Sequence, residues 1–180
     1  CSRRQRQMCI RDSPRGDTTY KMNDQVYFSV PNYSIDKLYP IIGKEHIDIN
    51  NVMILGGSSI GRKTSRNLCK DNFKVKLIER KRDKALNLAE DLRHTLVIHG
   101  DGRDIELLEQ ESIREMDAFI AVTGDSETNI MSCLVAKSKG VKKTIALVEN
   151  MDYFQLSQSI GIDTLINKKI IAASNIFKYV

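Results

Sequence analysis

One segment constrains the fold of this chain more than any other. Asn51-Val52-Met53-Ile54-Leu55 is a β-rich run that stops on glycine and restarts as a helix through Gly56-Gly57-Ser58-Ser59-Ile60-Gly61. A strand, a glycine turn and a helix in that order form the context of a dinucleotide fingerprint. Gly56 permits the tight turn, a small residue at 58 lets the backbone approach a pyrophosphate, and Gly61 allows close packing of helix on strand. The backbone N–H groups from Gly57 to Ile60 then face the anion, with the helix dipole behind them. Ser58 stands where the pattern has its middle glycine. It is small enough, but positive φ suits serine poorly. A glycine turn alone is weak evidence, because any tight turn uses glycine.

The rest of the chain strengthens that reading. Strands are predicted at 52–55, 74–78, 95–98, 118–122, 144–148 and 164–166, with helices near 60–71, 82–93, 104–111, 126–139 and 152–160. Ala85, Leu88, Ala89 and Leu92 follow helical spacing and give one apolar face. Strands alternating with helices imply βαβ units. Right-handed crossovers then give an α/β fold, a Rossmann-like doubly wound parallel sheet with helices on both faces. A last helix is expected over 168–180. It is apolar nearly all round, so its own sheet or a partner must cover it.

The first 50 residues read differently. Residues 1–13 lack periodicity and are expected to be a disordered or non-native arm. Residues 14–31 combine turn chemistry at Pro14-Arg15-Gly16-Asp17 with a β-rich run at 25–30, as in the last hairpin of a small domain whose beginning is missing. Residues 32–50 are a linker.

Composition enters mainly through exclusion. With 41% hydrophobic and 28% charged residues, the chain is of globular type, and no apolar run reaches bilayer-spanning length. The net charge is +5. Most of the excess sits in residues 1–13, which hold four arginines and one aspartate, so the charge is not a nucleic-acid footprint on the folded domain. The four cysteines, at 1, 9, 69 and 133, have neither metal-ligand nor redox-motif spacing. No metal site is expected.

Further candidates gather at the predicted carboxyl ends of strands, where this fold binds its ligands. Glu79 ends the second strand, 18 residues past Gly61. An acidic residue there accepts ribose hydroxyls and repels a 2′-phosphate, which favours NAD(H) or adenosine nucleotides over NADP(H). Arg80 follows at once and blunts that argument. Asp101 and Gly102 wall the adenosine side, although turn chemistry with an N-cap at Asp104 explains their composition nearly as well. Thr123 and Gly124 end the fourth strand beside the first, and Asp125 or Ser126 caps the next helix. A Walker loop is the rival reading of the turn. It needs Lys directly after the second glycine, but Arg62 stands there and Lys63 comes one residue late.

At this point the sequence resembles a known family. Gly56-Gly57-Ser58-Ser59-Ile60-Gly61, Glu79, Gly100-Asp101-Gly102, Ala121-Val122-Thr123-Gly124-Asp125 with Asn129, and Asp152-Tyr153 look like the RCK N-domain family of Trk-system potassium uptake regulators. The ordered spacing runs over residues 51–180. The resemblance makes 14–31 the tail of a small RCK C-domain and 51–180 an NAD-binding N-domain. It implies a cytoplasmic regulatory subunit, peripheral to the inner face of the plasma membrane. Such a subunit forms a homo-oligomer, a dimer assembling into a ring, and gates a membrane potassium transporter. Its ligand is NAD(H), with ATP or ADP as further candidates. By position, Gly56, Gly57, Ser58, Ser59 and Ile60 hold the pyrophosphate, Glu79 the ribose, and Thr123 and Gly124 the nicotinamide-side or phosphate edge, with Arg80, Asp101 and Gly102 as further cofactor-binding candidates. The family often has an arginine near the phosphates three residues before the acidic–Tyr pair. Here that position is Glu149, and a carboxylate there weakens anion binding.

Two other classes are weighed against this. An NAD-dependent oxidoreductase needs an acid or base beside the nicotinamide, yet no Tyr-x-x-x-Lys pair follows the fourth strand, since Ser157 stands four residues after Tyr153. His46, His94 and His99 are scattered, and no substrate domain remains in 180 residues. The chain is therefore read as a non-enzyme, and nucleic-acid binding rests on the basic arm alone. A degenerate domain serving only in assembly is the last alternative.

Overall fold

The computed structural model of this chain describes residues 19, 31, 48–150, 153 and 161–176, with backbone only for 173–176. The chain divides into two units, Cys1–His46 and Ile47–Val180, and the fold described belongs to the second. The expected arm at 1–13, the hairpin at 14–31, most of the linker and nearly all of the helix at 152–160 lie outside the described residues.

Six parallel strands form one sheet. They are β1 (Asn51–Leu55), β2 (Lys74–Glu79), β3 (Thr95–His99), β4 (Ala118–Ala121), β5 (Lys143–Leu147) and β6 (Thr164–Ile166), in the spatial order β3-β2-β1-β4-β5-β6. Among the described residues these helices accompany them: α1 (Ser59–Lys70), α2 (Arg82–Asp91), α3 (Ile105–Gln110), α4 (Ser126–Ser138) and α5 (Lys168–Ile176). A 3-10 turn at Ile113–Glu115 was not anticipated from the sequence.

The strand sequences explain the layers. Side chains alternate between faces in a strand, and β1 is apolar and buried from Val52 to Leu55 because both of its faces are covered there. Val52 and Ile54 join Val75, Leu77, Leu88, Leu92 and Ile120 on the face packed by α1 and α2. Met53 and Leu55 join Ile78, Leu108, Phe119, Ile130 and Cys133 on the face packed by α3 and α4. Each fully buried aliphatic side chain of this kind contributes about 1.5–3 kcal/mol. The doubly wound α/β architecture expected from the alternation is therefore the observed one.

The strand order reverses between β1 and β4. Leu55 pairs with Ile78 on one side and Ala121 on the other, so three strand ends stand level. That is the switch point, where the carboxyl ends open a crevice.

For the last helix the sequence leaves two covers open, its own sheet or a partner. Residues 168–172 are exposed, with Ile170 42% and Ile171 47% accessible. Packing on its own sheet therefore does not hold for these residues. The helix follows β6, the edge strand of the sheet among the described residues.

Candidate functional site

The crevice is a cleft of about 350 Å³, a size suited to small ligands. Nine of the residues singled out from the sequence line it: Gly56, Gly57, Ser58, Glu79, Arg80, Asp101, Gly102, Thr123 and Gly124. Ser59 and Ile60 do not. Ser59 is exposed as the first residue of α1, and the Ile60 side chain packs against the α1/α2-side core, so only their backbone can serve an anion.

The turn is built by steric demand. Gly56 sits at φ +103°, a conformation that disfavours any side chain. A Cβ on Gly61 would lie 2.0 Å from the Gly56 carbonyl oxygen, so glycine there is what lets α1 start directly on the turn. At Gly57 a Cβ would meet Leu88 Cδ1 at 2.2 Å. Ser58 needs no positive φ: at φ −61°, ψ 171° it is the N-cap of α1, and the difficulty read from its identity does not arise. Its hydroxyl donates to the Val122 carbonyl at 3.0 Å and accepts the Gly61 amide at 3.4 Å. The first-turn N–H groups of a helix lack intrahelical partners, and the first turn of α1 holds no acidic residue to compete with an anion.

Glu79 is placed differently from a bare ribose acceptor. It is 7% exposed and braces the turn from below. Oε2 accepts the Gly57 amide and Oε1 the Lys81 amide, each at 3.0 Å, while Lys84 Nζ lies 3.0 Å from Oε2. Burial favours the protonated acid, but the Lys81 amide, the Lys84 ammonium and the Gly57 amide outweigh it. The pKa falls below the ordinary glutamate value.

The far wall is another closed pair. Arg103 donates to Asp101 through its backbone N–H at 3.0 Å, Nε at 3.0 Å and Nη2 at 2.6 Å. This holds the Asp101 carboxyl down at about 2. Gly102 lies under Leu55, whose Cδ1 is 2.1 Å from where a Cβ would stand. Asp104 is an N-cap, accepting the Glu106 amide at 2.9 Å, so that alternative reading of the segment also holds.

On the β4 side, Thr123 is fixed by buried Asn129. Asn129 Oδ1 accepts the Thr123 amide at 2.9 Å and its hydroxyl at 2.7 Å, and Nδ2 donates to the Leu147 carbonyl at 2.8 Å. Asp125, not Ser126, caps α4, through the Thr128 amide at 2.8 Å. Gly124 is open: a Cβ there would meet nothing within 4 Å.

Three cations of the cleft, Lys81, Lys84 and Arg103, escaped the sequence reading. Arg103 had a signal, since an arginine two residues after an aspartate in a glycine turn can fold back on it. Lys84 had a weaker one, a cation in the first turn of the helix that follows the acidic strand end. Glu149 lies outside the cleft lining and pairs with Lys168, so its charge is met within the fold rather than turned on the phosphate turn.

Comparison with known proteins follows the same residues. The TrkA-N domain family matches residues 52–168. Among curated relatives, the Trk system potassium uptake protein TrkA of Vibrio alginolyticus is 36% identical over 167 residues, 93% of this chain and 36% of that protein. The protein of the same name from Halomonas elongata is 36% identical over 154 residues, 86% of this chain and 34% of that one. The chain thus spans about a third of the length of these relatives. Among solved structures, the TrkA-N domain of the inner membrane protein ybaL from Escherichia coli has a TM-score of 0.67 at 15% identity, covering 74% of this chain and 98% of that one. The GsuK channel bound to NAD has 0.58 at 22% identity, covering 68% and 22%. GsuK bound to ADP has 0.58 at 22%, covering 67% and 31%. At these identities the structural likeness speaks to the fold.

Proposed function

The chain belongs to the TrkA-N domain family, and from that premise we propose that it is the nucleotide-sensing part of a regulatory subunit of a potassium uptake system. Its cleft binds an adenine nucleotide, NAD(H) first, with ATP or ADP as the alternatives. The subunit acts without turnover from the cytoplasmic face of the membrane. It assembles as a homo-oligomer and gates a membrane potassium transporter. Residues 51–180 form the N-domain in this reading, with 14–31 as the tail of a preceding C-domain, 32–50 as linker, and 1–13 as an arm.

One observation carries the proposal. A single cleft at the switch point gathers the glycine turn, Glu79, Asp101, Gly102, Thr123 and Gly124 from four separate βα junctions. The names of the relatives, potassium uptake proteins, support the transport part of the reading, and those of the structural neighbours with NAD and ADP support the ligand class.

Gly124 provides the test. It lines the cleft, is exposed, and has free space where a side chain would begin. Gly124→Phe therefore fills the cleft without displacing packed atoms. Calorimetric titration of NADH, NAD and ATP into the full chain and into this variant is the measurement. Saturable binding by the parent, lost in a variant that unfolds at the same urea concentration, is the expected result. Binding that survives in Gly124→Phe places the site elsewhere, and no binding by any of the three refutes the sensor reading.

A further inference from the structure

An adenine nucleotide presents a flat aromatic base, and its faces favour flat partners. Bases stack on aromatic side chains or on arginine guanidinium planes. Among the described residues that line the cleft, none is Phe, Tyr, Trp or His. The guanidinium groups there are those of Arg80 and Arg103.

Arg103 differs from Arg80 in being held. Its Nε lies 3.0 Å from Asp101 Oδ1 and its Nη2 lies 2.6 Å from Oδ2, so one edge of the fork is locked on a carboxylate. Among the described residues the Arg80 side chain makes no hydrogen bond or ion pair, so stacking would cost it rotamer freedom that Arg103 has already lost. The loop that carries Arg103 is itself pinned. The Gly100 amide donates to the Glu79 carbonyl at 3.1 Å, and the Ser132 hydroxyl donates to the Gly102 carbonyl at 3.4 Å. Gly102 lies under Leu55, which leaves no room for a Cβ. The loop leaving β3 therefore passes the end of β2, reaches the end of β1 and is tied to α4. Arg103 stands in the cleft, close enough to Asp125 on the β4 wall for the two charges to interact. Its Nη1 makes no hydrogen bond among the described residues, and its side chain is 56% exposed. Asp101 offsets the attraction of this guanidinium for a phosphate but leaves its plane unchanged.

We propose that Arg103 is the base-stacking residue of the cleft, its guanidinium fixed by Asp101 and laid flat against the adenine ring of the bound nucleotide. The proposal rests on the reading of the cleft as an adenine-nucleotide site and adds the contact that recognises the base. Arginine suits the task because its planar, weakly hydrated cation stacks on aromatic faces, and an immobilised one is already organised for it.

The test is calorimetric titration of NADH, NAD and ATP into the full chain and its Arg103→Ala, Arg103→Lys and Arg103→Tyr variants, compared on the ligand that the parent binds tightest. Lysine keeps a cation for Asp101 or for a phosphate but has no plane. Tyrosine keeps a plane but has no cation. The readout is the dissociation constant, with the stoichiometry absorbing any unfolded fraction. Arg103→Ala and Arg103→Lys are expected to weaken binding by about five- to tenfold, the yield of one cation–π contact, while Arg103→Tyr stays within about threefold of the parent. Parental affinity in Arg103→Lys with loss in Arg103→Tyr makes the contact one of charge and overturns the proposal. Equal affinity in all four proteins, or equal loss in all three variants, overturns it as well. Each of these results leaves the sensor reading standing, because the parent still binds. Binding of none of the three ligands by the parent overturns both.

Discussion

Replacing Glu79 by glutamine tests whether this residue is a brace of the turn or only a ligand contact. The substitution keeps size and shape but exchanges one carboxylate oxygen for an NH₂ group. The two oxygens now accept two backbone amides, from Gly57 and Lys81, and Oε2 also meets Lys84. Glutamine offers a single oxygen, so one amide faces another donor. Glu79 is 7% exposed, and an orphaned buried donor costs about 1–3 kcal/mol. The Lys84 side chain is 44% exposed, so loss of that ion pair adds under about 1 kcal/mol. With a urea slope of about 1–3 kcal/mol/M, the midpoint falls by roughly 1 M. The pH dependence carries a second signature. The folded pKa of Glu79 lies below its ordinary value, so the parent gains stability above the unfolded pKa and loses it as pH falls through the folded one. Glu79→Gln lacks this contribution, so the gap between the two proteins is widest near neutrality and narrows in acid. Urea unfolding at pH 7 and at pH 3.5 measures both effects. Equal midpoints for the two proteins at pH 7 refute the brace, and would leave Glu79 as a ligand contact alone.

Three other consequences are sharp enough to measure. Gly61→Ala puts a methyl group 2.0 Å from the Gly56 oxygen, backbone against backbone, and is expected to destabilise by about 1–3 kcal/mol in urea unfolding; a loss below 0.5 kcal/mol contradicts the close contact. Asn129→Ala removes the partner of the Thr123 amide, the Thr123 hydroxyl and the Leu147 carbonyl at a site 1% exposed, and is expected to cost about 2–4 kcal/mol, more than any single surface substitution. Asp117 accepts the Asn51 and Asn50 amides at 3.0 Å each and pairs with Lys142, which hold it at about 2. Its stabilisation is present above the ordinary aspartate value and is lost as pH falls from there toward 2, so Asp117→Asn flattens the acid limb of the stability curve, and an unchanged limb counts against the contacts.

The sheet was legible because its signal is periodic and local. An apolar run such as Val52–Leu55 or Phe119–Ala121, alternating with helical stretches, fits a strand covered on both faces, and the helical spacing of Ala85, Leu88 and Leu92 places one face of α2 on the sheet. The cleft lining was legible by position for the same reason: once strand ends are known, the residues just past them face the crevice. What resisted was the choice among partners. Glu79 read as a ribose acceptor, yet the Gly57 amide and Lys84 take it first, and that choice depends on tertiary distance rather than spacing. Ser58 read as a strained substitute for glycine, but it is a cap whose hydroxyl reaches Val122, a residue 64 positions away. Glu149 read as a defect near the phosphates, whereas Lys168 answers it from α5. Ile170 and Ile171 read as buried, because an apolar residue in the sequence does not disclose whether its cover belongs to the same chain.

A sensor must also pass its occupancy on, and the hydrogen bonds indicate a physical route. Thr123 at the cleft rim is held by Asn129, and Asn129 reaches the Leu147 carbonyl at the end of β5. Just past that strand, the Val148 and Glu149 carbonyls accept from Asn167 Nδ2 at 2.8 and 3.2 Å. Asn167 Oδ1 in turn accepts the Lys169 and Ile170 amides, so it caps α5, whose exposed face carries Ile170 and Ile171. The chain of contacts therefore runs from the cleft wall to the start of α5, where residues 168–172 are exposed. Contiguity alone does not make it a switch, because a ligand shifts an equilibrium only by its differential affinity for two states. The rigid part of this route is Asn129, fully paired and buried. The adjustable part is the junction at Glu149, where the exposed ion pair with Lys168 contributes little and can exchange for solvent at small cost.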